Sequence, residues 1–350
     1  MKILVTGGAG FIGSALVRQI IGETDHQVVN VDCLTYAGSP LNVASVADSE
    51  RYAFEPVDIR DAAALGAVFD RHRPDAVMHL AAESHVDRSI DGPQPAVDTN
   101  IFGTFNMLEV ARVYWREQAA ESFRFLHVST DEVFGSLGPT GVFTEDSPYQ
   151  PNSPYSATKA AADHLVRAWH RTYGLPVVIT NCSNNYGTHQ YPEKLVPVLI
   201  AKGLAGEVMP IYGAGTNVRD WLFVEDHARG LRLALERGRE GESYNFGGGA
   251  ELTNMALALR LCDILDGLHP AGAPHRGLIT LVEDRPGHDA RYAIDAAKAE
   301  AELGWTPHEN FDTGLRKTIA WYVENQDWCR AALADTYDVG RLGLAGTAAP

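Results

Sequence analysis

Three consecutive side chains able to transfer protons follow one apolar segment of the chain. Thr130, Asp131 and Glu132 come shortly after Phe123–Val128, a run typical of a buried parallel strand. Ligands of open α/β sheets bind outside the carboxyl ends of the strands. We therefore expect a hydroxyl and two neighbouring carboxyl groups at a binding site, where one carboxyl can serve as an acid and the other as a base. The alternative is a solvated loop cap.

A tyrosine and a lysine downstream add redox chemistry to this pair of acids. Tyr155 and Lys159 are four residues apart, so a helix places both on one face. Ser153 and Pro154 predict the start of that helix, as N-cap and first-turn proline. To act as a base near neutral pH, a tyrosine needs its pKa lowered by roughly 3 units, and a neighbouring ammonium group acts in that direction. The alternative is an ordinary exposed helix pair.

A glycine-rich turn near the N-terminus predicts a dinucleotide site. Gly8–Gly13 has the pattern G-x-G-x-x-G between a strand and a helix, and Asp32 ends the next strand. That context favours pyrophosphate at the helix N-terminus and ribose hydroxyls on the acid, hence NAD rather than NADP. A tight strand–helix turn without a ligand is the alternative. Asp58 and Ile59 follow the third strand, where they either contact adenine or begin the next helix.

Alternating strand and helix patterns position these residues. They predict an α/β fold, a doubly wound, Rossmann-like parallel sheet with a second, smaller substrate-binding α/β lobe. The NAD-binding domain is predicted at 1–183, with 224–247 returning to it, and the second lobe at 184–223 and 248–330. Residues 331–350 form a tail whose end, from Val339, is expected to be mobile. Within the chain, 96–118 is predicted as one long helix, Asn184–Gly187 as a turn, and His79 and His127 as packed core residues.

Composition excludes several classes of partner. The chain has 350 residues, 45% of them hydrophobic, and a formal net charge of −16. That charge argues against nucleic acid and against an anionic membrane. The four cysteines are scattered without a CxxC pair, so we expect no metal and a cytoplasmic, reducing location. The N-terminal run is too short for a signal peptide, and no apolar run approaches membrane-spanning length.

Several motifs together resemble one enzyme family over residues 1–325. They are Thr6–Gly13, Leu80–Asp87, Ser129–Gly135, Tyr155–Lys159, Asn184–Gly187, Arg219–Trp221 and Arg285–Asp289. The chain resembles the extended short-chain dehydrogenase/reductases and, among these, the dTDP-glucose 4,6-dehydratases. The Thr-Asp-Glu triplet is the specific element, because related sugar epimerases have small residues in place of the two acids.

The resemblance implies a redox-neutral reaction of dTDP-glucose with bound NAD. Oxidation at C4 is followed by loss of water across C5 and C6 and by reduction at C6. Tyr155 takes the C4 hydroxyl proton, Thr130 binds the C4 oxygen, Glu132 removes the C5 proton, and Asp131 protonates the departing hydroxyl. Lys159 completes the catalytic set. The implied NAD-binding residues are Gly7, Gly10, Phe11, Ile12, Gly13, Asp32, Cys33, Leu34, Thr35, Asp58, Ile59, Leu80, Ala81, Ala82, Ser84, Thr99, Tyr155, Lys159 and Asn185.

An acidic protein needs local cations to bind a sugar nucleotide. Arg219 and Lys194 are the best candidates, because arginine binds phosphate through two N–H groups. The substrate residues implied by the resemblance are Ser84, Thr130, Asn184, Lys194, Leu195, Pro210, Ile211, Tyr212, Arg219, Asn254, Asp284, Arg285, Pro286, Gly287 and His288. Each has a plain alternative: Arg219 and Asp220 can form a surface pair, and 285–289 a turn held by Pro286 and Gly287.

Two rival functions and an assembly question stay open. A UDP-sugar 4-epimerase or decarboxylase would share the scaffold, although the two acids count against it, and a non-catalytic NAD sensor would be expected to have lost site residues. The nucleotide base is not determined by the residues. The resemblance also implies a homodimer, with Leu108, Tyr114, Trp115, Leu165 and Trp169 as apolar surface. Inward packing of these side chains on the sheet is the alternative.

Overall fold

The computed structural model describes residues 1–118 and 122–334, without the side chains of 333 and 334. The strands in these ranges are β1 (Lys2–Thr6), β2 (Gln27–Val31), β3 (Tyr52–Glu55), β4 (Ala76–His79), β5 (Arg124–Val128), β6 (Val177–Cys182), β7 (Asn184–Tyr186), β8 (Met209–Tyr212), β9 (Val218–Phe223), β10 (Ser243–Phe246), β11 (Glu251–Thr253) and β12 (Ile279–Val282). The α-helices are α1 (Phe11–Glu23), α2 (Ala62–His72), α3 (Val86–Asp91), α4 (Gln94–Ala96), α5 (Thr104–Gln118), α6 (Pro154–Tyr173), α7 (Leu195–Ala205), α8 (Val224–Arg237), α9 (Asn254–Leu268), α10 (Ala297–Leu303), α11 (Phe311–Glu324) and α12 (Gln326–Ala334).

The largest sheet has seven strands in the order β10-β6-β5-β4-β1-β2-β3. All its pairings are parallel. The strand order reverses direction at β1 and β4, so their carboxyl ends border the crevice where doubly wound folds bind ligands. The predicted fold class is therefore confirmed.

Helices cover both faces of this sheet, and each face has its own apolar core. One core packs α1 and α8 against the sheet through side chains such as Leu16 and Leu231. The other packs α2, α5 and α6 through Phe69, Leu108 and Val166. Burial on both faces explains why the central strands are almost uninterrupted apolar runs.

Two small sheets lie outside the seven-stranded sheet. One has the order β11-β9-β7 and the other pairs β12 with β8. Side chains of α7, α9 and α11 form a third core with these strands, including Leu199, Leu261 and Leu315. This second lobe supplies the opposite side of the crevice.

The structure departs from the sequence prediction at three places. Asn184–Tyr186 is a strand paired with β9, not a turn. The predicted helix over 96–118 is interrupted by a π-helical segment, Val97–Gly103, before α5 begins. Leu108 and Tyr114 pack inward on the sheet core, while Trp115, Leu165 and Trp169 are partly buried against it. The prediction that Leu108 and Tyr114 supply exposed apolar surface was therefore wrong.

Other predictions on the chain ends and the core have clear outcomes. His79 and His127 are buried in adjacent strands, as packed core residues should be. Helix α12 extends into the predicted tail, and the part from Val339 lies outside the described residues. Among the described helices, none is long and apolar enough to span a membrane.

Candidate active site

One cavity of about 530 Å³ runs along the carboxyl ends of the main-sheet strands and under the second lobe. It brings together all five residues predicted to be catalytic: Thr130, Asp131, Glu132, Tyr155 and Lys159. The predicted cofactor residues on its wall are Gly7, Gly10, Phe11, Ile12, Gly13, Asp32, Cys33, Thr35, Asp58, Ile59, Leu80, Ala81, Ala82, Ser84, Thr99 and Asn185. The predicted substrate residues on its wall are Ser84, Asn184, Lys194, Leu195, Pro210, Tyr212, Arg219, Asn254, Arg285 and His288.

The turn between β1 and α1 is shaped for a dinucleotide. A Cβ on Gly13 would lie 2.1 Å from the carbonyl oxygen of Gly7, and one on Gly7 would lie 2.8 Å from the backbone of Ala81. No side chain caps α1 at Gly10, so the first-turn N–H groups stay available to a pyrophosphate. The tight turn and the open helix end together fit NAD.

The acid at the end of β2 is held in place by backbone donors. Asp32 accepts hydrogen bonds from Ala9 N at 2.9 Å and from Leu34 N at 2.8 Å. Leu34 has a positive φ of 52°. Asp58 pairs with Arg60 at 2.6 Å, whereas Asp61 caps α2. The alternative prediction, that Asp58 begins the next helix as its cap, is therefore wrong, because Asp61 has that role.

The two adjacent acids occupy different electrostatic environments. Asp131 is buried, its Oδ2 has no hydrogen-bond partner among the described residues, and Thr130 Oγ1 lies 3.4 Å from its Oδ1. Burial and the charge of Glu132 raise the pKa of Asp131 well above its usual value. Burial also raises the pKa of Glu132, but the cations of Arg285, Lys194 and Arg219 oppose that rise. Asp131 is thus the better proton donor and Glu132 the better base.

Tyr155 and Lys159 lie on the predicted face of α6. Ser153 and Ser156 form a capping box, with Pro154 in the first turn. Lys159 Nζ donates to Val128 O at 2.9 Å, which fixes α6 to the end of β5. The expected lowering of the Tyr155 pKa is not found in the protein alone: burial and the charge of Glu132 raise it, and a Thr130 hydrogen bond only partly opposes them.

Cations surround the opposite side of the cavity. Lys194 Nζ donates to Ser84 O at 2.6 Å, which joins the second lobe to the main sheet. Arg219 is buried, donates to Asp289 O at 2.9 Å and stacks 4.2 Å from the ring centroid of Tyr292. Arg219 is therefore no surface partner of Asp220, which instead accepts from Gly248 N and Ala250 N.

Five predicted residues are not among those lining the cavity: Leu34, Ile211, Asp284, Pro286 and Gly287. Ile211 is fully buried in the second-lobe core, because alternation along β8 turns Pro210 and Tyr212 toward the cavity and Ile211 away. Asp284 accepts from Arg285 N at 2.8 Å and lies 2.6 Å from His288 Nδ1. Asp284, Pro286 and Gly287 thus belong to the turn that presents Arg285 and His288.

Some cavity residues were missed from the sequence. Asp87 pairs with Arg285 at 2.6 Å and accepts from the Tyr212 hydroxyl at 3.0 Å, so it connects α3 to the second lobe. Glu193 is almost fully buried, and burial raises its pKa to about 7. Both stand inside or beside motifs already noted, since Asp87 ends Leu80–Asp87 and Glu193 precedes Lys194.

Similarity to known proteins identifies the family to which this chain belongs. The family model described as GDP-mannose 4,6 dehydratase matches residues 4–318, and the chain belongs to that family. The resemblance seen in the motifs is confirmed by a dTDP-glucose 4,6-dehydratase from Neisseria meningitidis, 57% identical over 98% of this chain and 99% of that protein. An Escherichia coli dTDP-glucose 4,6-dehydratase is 57% identical over 94% of each chain. A double mutant of DesIV, a dTDP-glucose 4,6-dehydratase from Streptomyces venezuelae with NAD bound, superposes with a TM-score of 0.88 at 46% identity, covering 95% of this chain and 100% of that one.

Proposed function

We propose that this chain catalyses the NAD-dependent conversion of dTDP-glucose to dTDP-4-keto-6-deoxyglucose and water. The main evidence is that Asp131 and Glu132 line the same cavity as Tyr155 and Lys159. The glycine turn lines this cavity too. A dehydrogenase needs only the tyrosine and lysine, whereas elimination of water also needs a base and an acid. The near full-length relatives with the same named activity support this assignment.

The residues divide the proton transfers among them. Tyr155 takes the C4 hydroxyl proton, with Thr130 bound to the same oxygen. The C4 ketone acidifies the C5 proton, which Glu132 removes. Asp131 donates its proton to the C6 hydroxyl, which leaves as water, and Glu132 returns its proton to C5. Bound NAD would supply the reversible oxidation of the sugar and a positive ring close to Tyr155.

We assign NAD to the wall formed by the glycine turn, Asp32 and the ends of β3 and β4. Asp32 would accept hydrogen bonds from the ribose hydroxyls and repel a 2′-phosphate. The sugar nucleotide is assigned to the opposite wall. Arg219, Lys194 and Arg285 compensate the pyrophosphate charge there, while Asn184, whose Oδ1 has no partner among the described residues, faces the sugar.

Because the two ligands are assigned to opposite walls, each lobe is assigned one of them. We propose 1–183 with 224–247 as the NAD-binding unit, since β10 and α8 pack with the main sheet. We propose 184–223 and 248–330 as the substrate-binding lobe. A cytoplasmic location is supported by four unpaired cysteines, of which Cys33 is exposed beside the proposed NAD site.

We propose a homodimer as the assembly, through a set of side chains that shares only Trp169 with those first expected. Phe102, Phe105, Val113 and Tyr173 are exposed on the outer side of α5, α6 and the preceding π-helical segment. Trp169 connects them, with ring centroids 5.8 Å from Phe105 and 5.5 Å from Tyr173. An aromatic patch of this kind marks an interaction surface, and a two-fold contact would cover it on both chains.

Turnover of dTDP-glucose tests the proposed function directly. Purified protein with NAD should convert dTDP-glucose to a 4-keto sugar, which is detected by its alkaline absorbance. When the reaction is run in deuterium oxide, deuterium from the solvent should appear at C5 of the product. UDP-glucose and CDP-glucose in parallel define the base preference. Tyr155→Phe should form no product while still binding NAD. Absence of product from all three nucleotides with NAD-loaded protein would contradict the proposal.

A further inference from the structure

A buried carboxylate outside the cavity shares a helix face with Tyr155 and Lys159. Asp163 lies one further turn along α6, at the same spacing of four, and is fully buried. Its Oδ2 accepts from the Ser129 hydroxyl and from the Tyr149 hydroxyl, each at 2.8 Å. Its Oδ1 lies 3.1 Å from Nε2 of His127. The side chain is therefore fixed from two parts of the chain, the end of β5 and the loop that carries Tyr149.

These contacts keep Asp163 ionised despite its burial. Burial raises the pKa of Asp163, but the contact with His127, the charge of Lys159 and the hydrogen bond from Ser129 lower it overall. Burial and the charge of Lys159 lower the pKa of His127, although Asp163 opposes that change, and this favours the neutral imidazole. A lone anion in an apolar core is costly and is tolerated when an opposite charge is near. Lys159, itself 4% exposed, is that opposite charge.

The charge of Asp163 in turn favours the charged form of Lys159. Burial lowers the pKa of Lys159, and Asp163 is the largest influence raising it, followed by Cys182 on β6. Lys159 Nζ is tied to Val128 O and Asp163 to the next residue, Ser129. Both ends of the pair thus hold α6 against the strand end from which Thr130, Asp131 and Glu132 emerge.

We propose that Asp163 is a positioning residue of the redox step: it supplies the buried counter-charge that keeps Lys159 an ammonium group beside Tyr155. The inference rests on the proposed function, in which Tyr155 takes the C4 hydroxyl proton. Burial and nearby carboxyl groups disfavour the phenolate form of Tyr155, whereas a neighbouring ammonium group favours it. Loss of the ammonium charge would therefore make Tyr155 a weaker base. The other groups facing this network are Tyr149, Arg167 through the Tyr149 hydroxyl, and His79 behind His127.

The test compares Asp163→Asn with Tyr149→Phe in the NAD-loaded enzyme. The first removes the charge, and the second removes a hydrogen bond to the same oxygen but keeps the charge. Activity requires protonated Lys159, so it falls as pH rises through the lysine pKa. In Asp163→Asn that alkaline fall should move to lower pH by about one unit or more, while in Tyr149→Phe it should stay in place. A uniform loss at every pH, or no shift in Asp163→Asn, would overturn the proposal.

A melting comparison covers the case in which Asp163→Asn is unstable. If the two charges compensate each other, Lys159→Met/Asp163→Asn should be more stable than the sum of the single effects, and it should fold even where Asp163→Asn does not. Additive effects, or a double variant that fails to fold, would also refute the inference. This comparison needs no turnover, so it separates failure of the Asp163 role from failure of the proposed function.

Discussion

Asp131 and Glu132 are neighbours in the chain, yet their surroundings prepare them for opposite tasks. Asp131 is enclosed, and its pKa is raised well above the ordinary carboxyl value. Glu132 faces three cations that favour its charged form. Mutual repulsion of two close carboxyl groups further separates their protonation states. The arrangement favours a protonated Asp131 next to a Glu132 that gives up its proton more readily.

Replacing Glu132 by Gln should separate oxidation from elimination. Tyr155 is still present to take the C4 proton, but no base remains for C5. Overall turnover should fall about a hundred-fold or more, and reduced nicotinamide absorbance should accumulate when dTDP-glucose is added. Asp131→Asn is the matched comparison: it should also accumulate reduced cofactor, yet still exchange the C5 proton with solvent. Normal turnover by Glu132→Gln would show that the base is another group.

At the scale of elements, the β1–α1 turn depends on the absence of one side chain. Gly13→Ala would place Cβ 2.1 Å from Gly7 O, and opening the turn should cost about 1–3 kcal/mol. We expect weaker NAD binding by calorimetry and a lower melting temperature. Gly22→Ala in the same helix has nothing within 4 Å of its Cβ and should stabilise by about 0.5–1 kcal/mol. Equal NAD affinity in both variants would contradict this reading of the turn.

Residue pattern predicted the central elements well and the short strands of the second lobe poorly, for physical reasons. The central strands are buried on both faces, so they stand out as apolar runs, and α6 carries its capping box in the sequence. Asn184–Tyr186 is too short and polar for any period, and its pairing with β9 is set by residues more than thirty positions away. The position of Ile211 was available from alternation along β8, but Ile211 was assigned through the family resemblance, together with its neighbours Pro210 and Tyr212. The π-helical segment Val97–Gly103 is too short for residue periodicity to distinguish it from an α-helix, so only coordinates reveal it.

At the scale of the whole molecule, the net charge of −16 is compatible with an anionic ligand because cations are concentrated in the cavity. Arg219, Lys194 and Arg285 come from β9, from the residue before α7 and from the 284–288 turn. Each is fixed by a contact to another part of the chain, such as Ser84 O or Asp87. If these cations bind a pyrophosphate, as proposed, binding would depend on the contacts that join the second lobe to Ser84 and Asp87.

The proposed dimer interface can be tested by placing charges on its exposed aromatic side chains. Phe102 and Phe105 are 57% and 41% exposed, and burying each would contribute about 1.5–3 kcal/mol per chain. Phe102→Asp/Phe105→Asp should convert the dimer to a monomer near 38.0 kDa in sedimentation at micromolar concentration. Phe54→Asp, on β3 at one edge of the main sheet and 37% exposed, introduces a single negative charge away from the patch and should stay dimeric. A wild-type monomer, or a double variant that remains dimeric, would rule out this surface. Loss of the dimer should leave the chemistry intact, because all five proposed catalytic residues come from one chain.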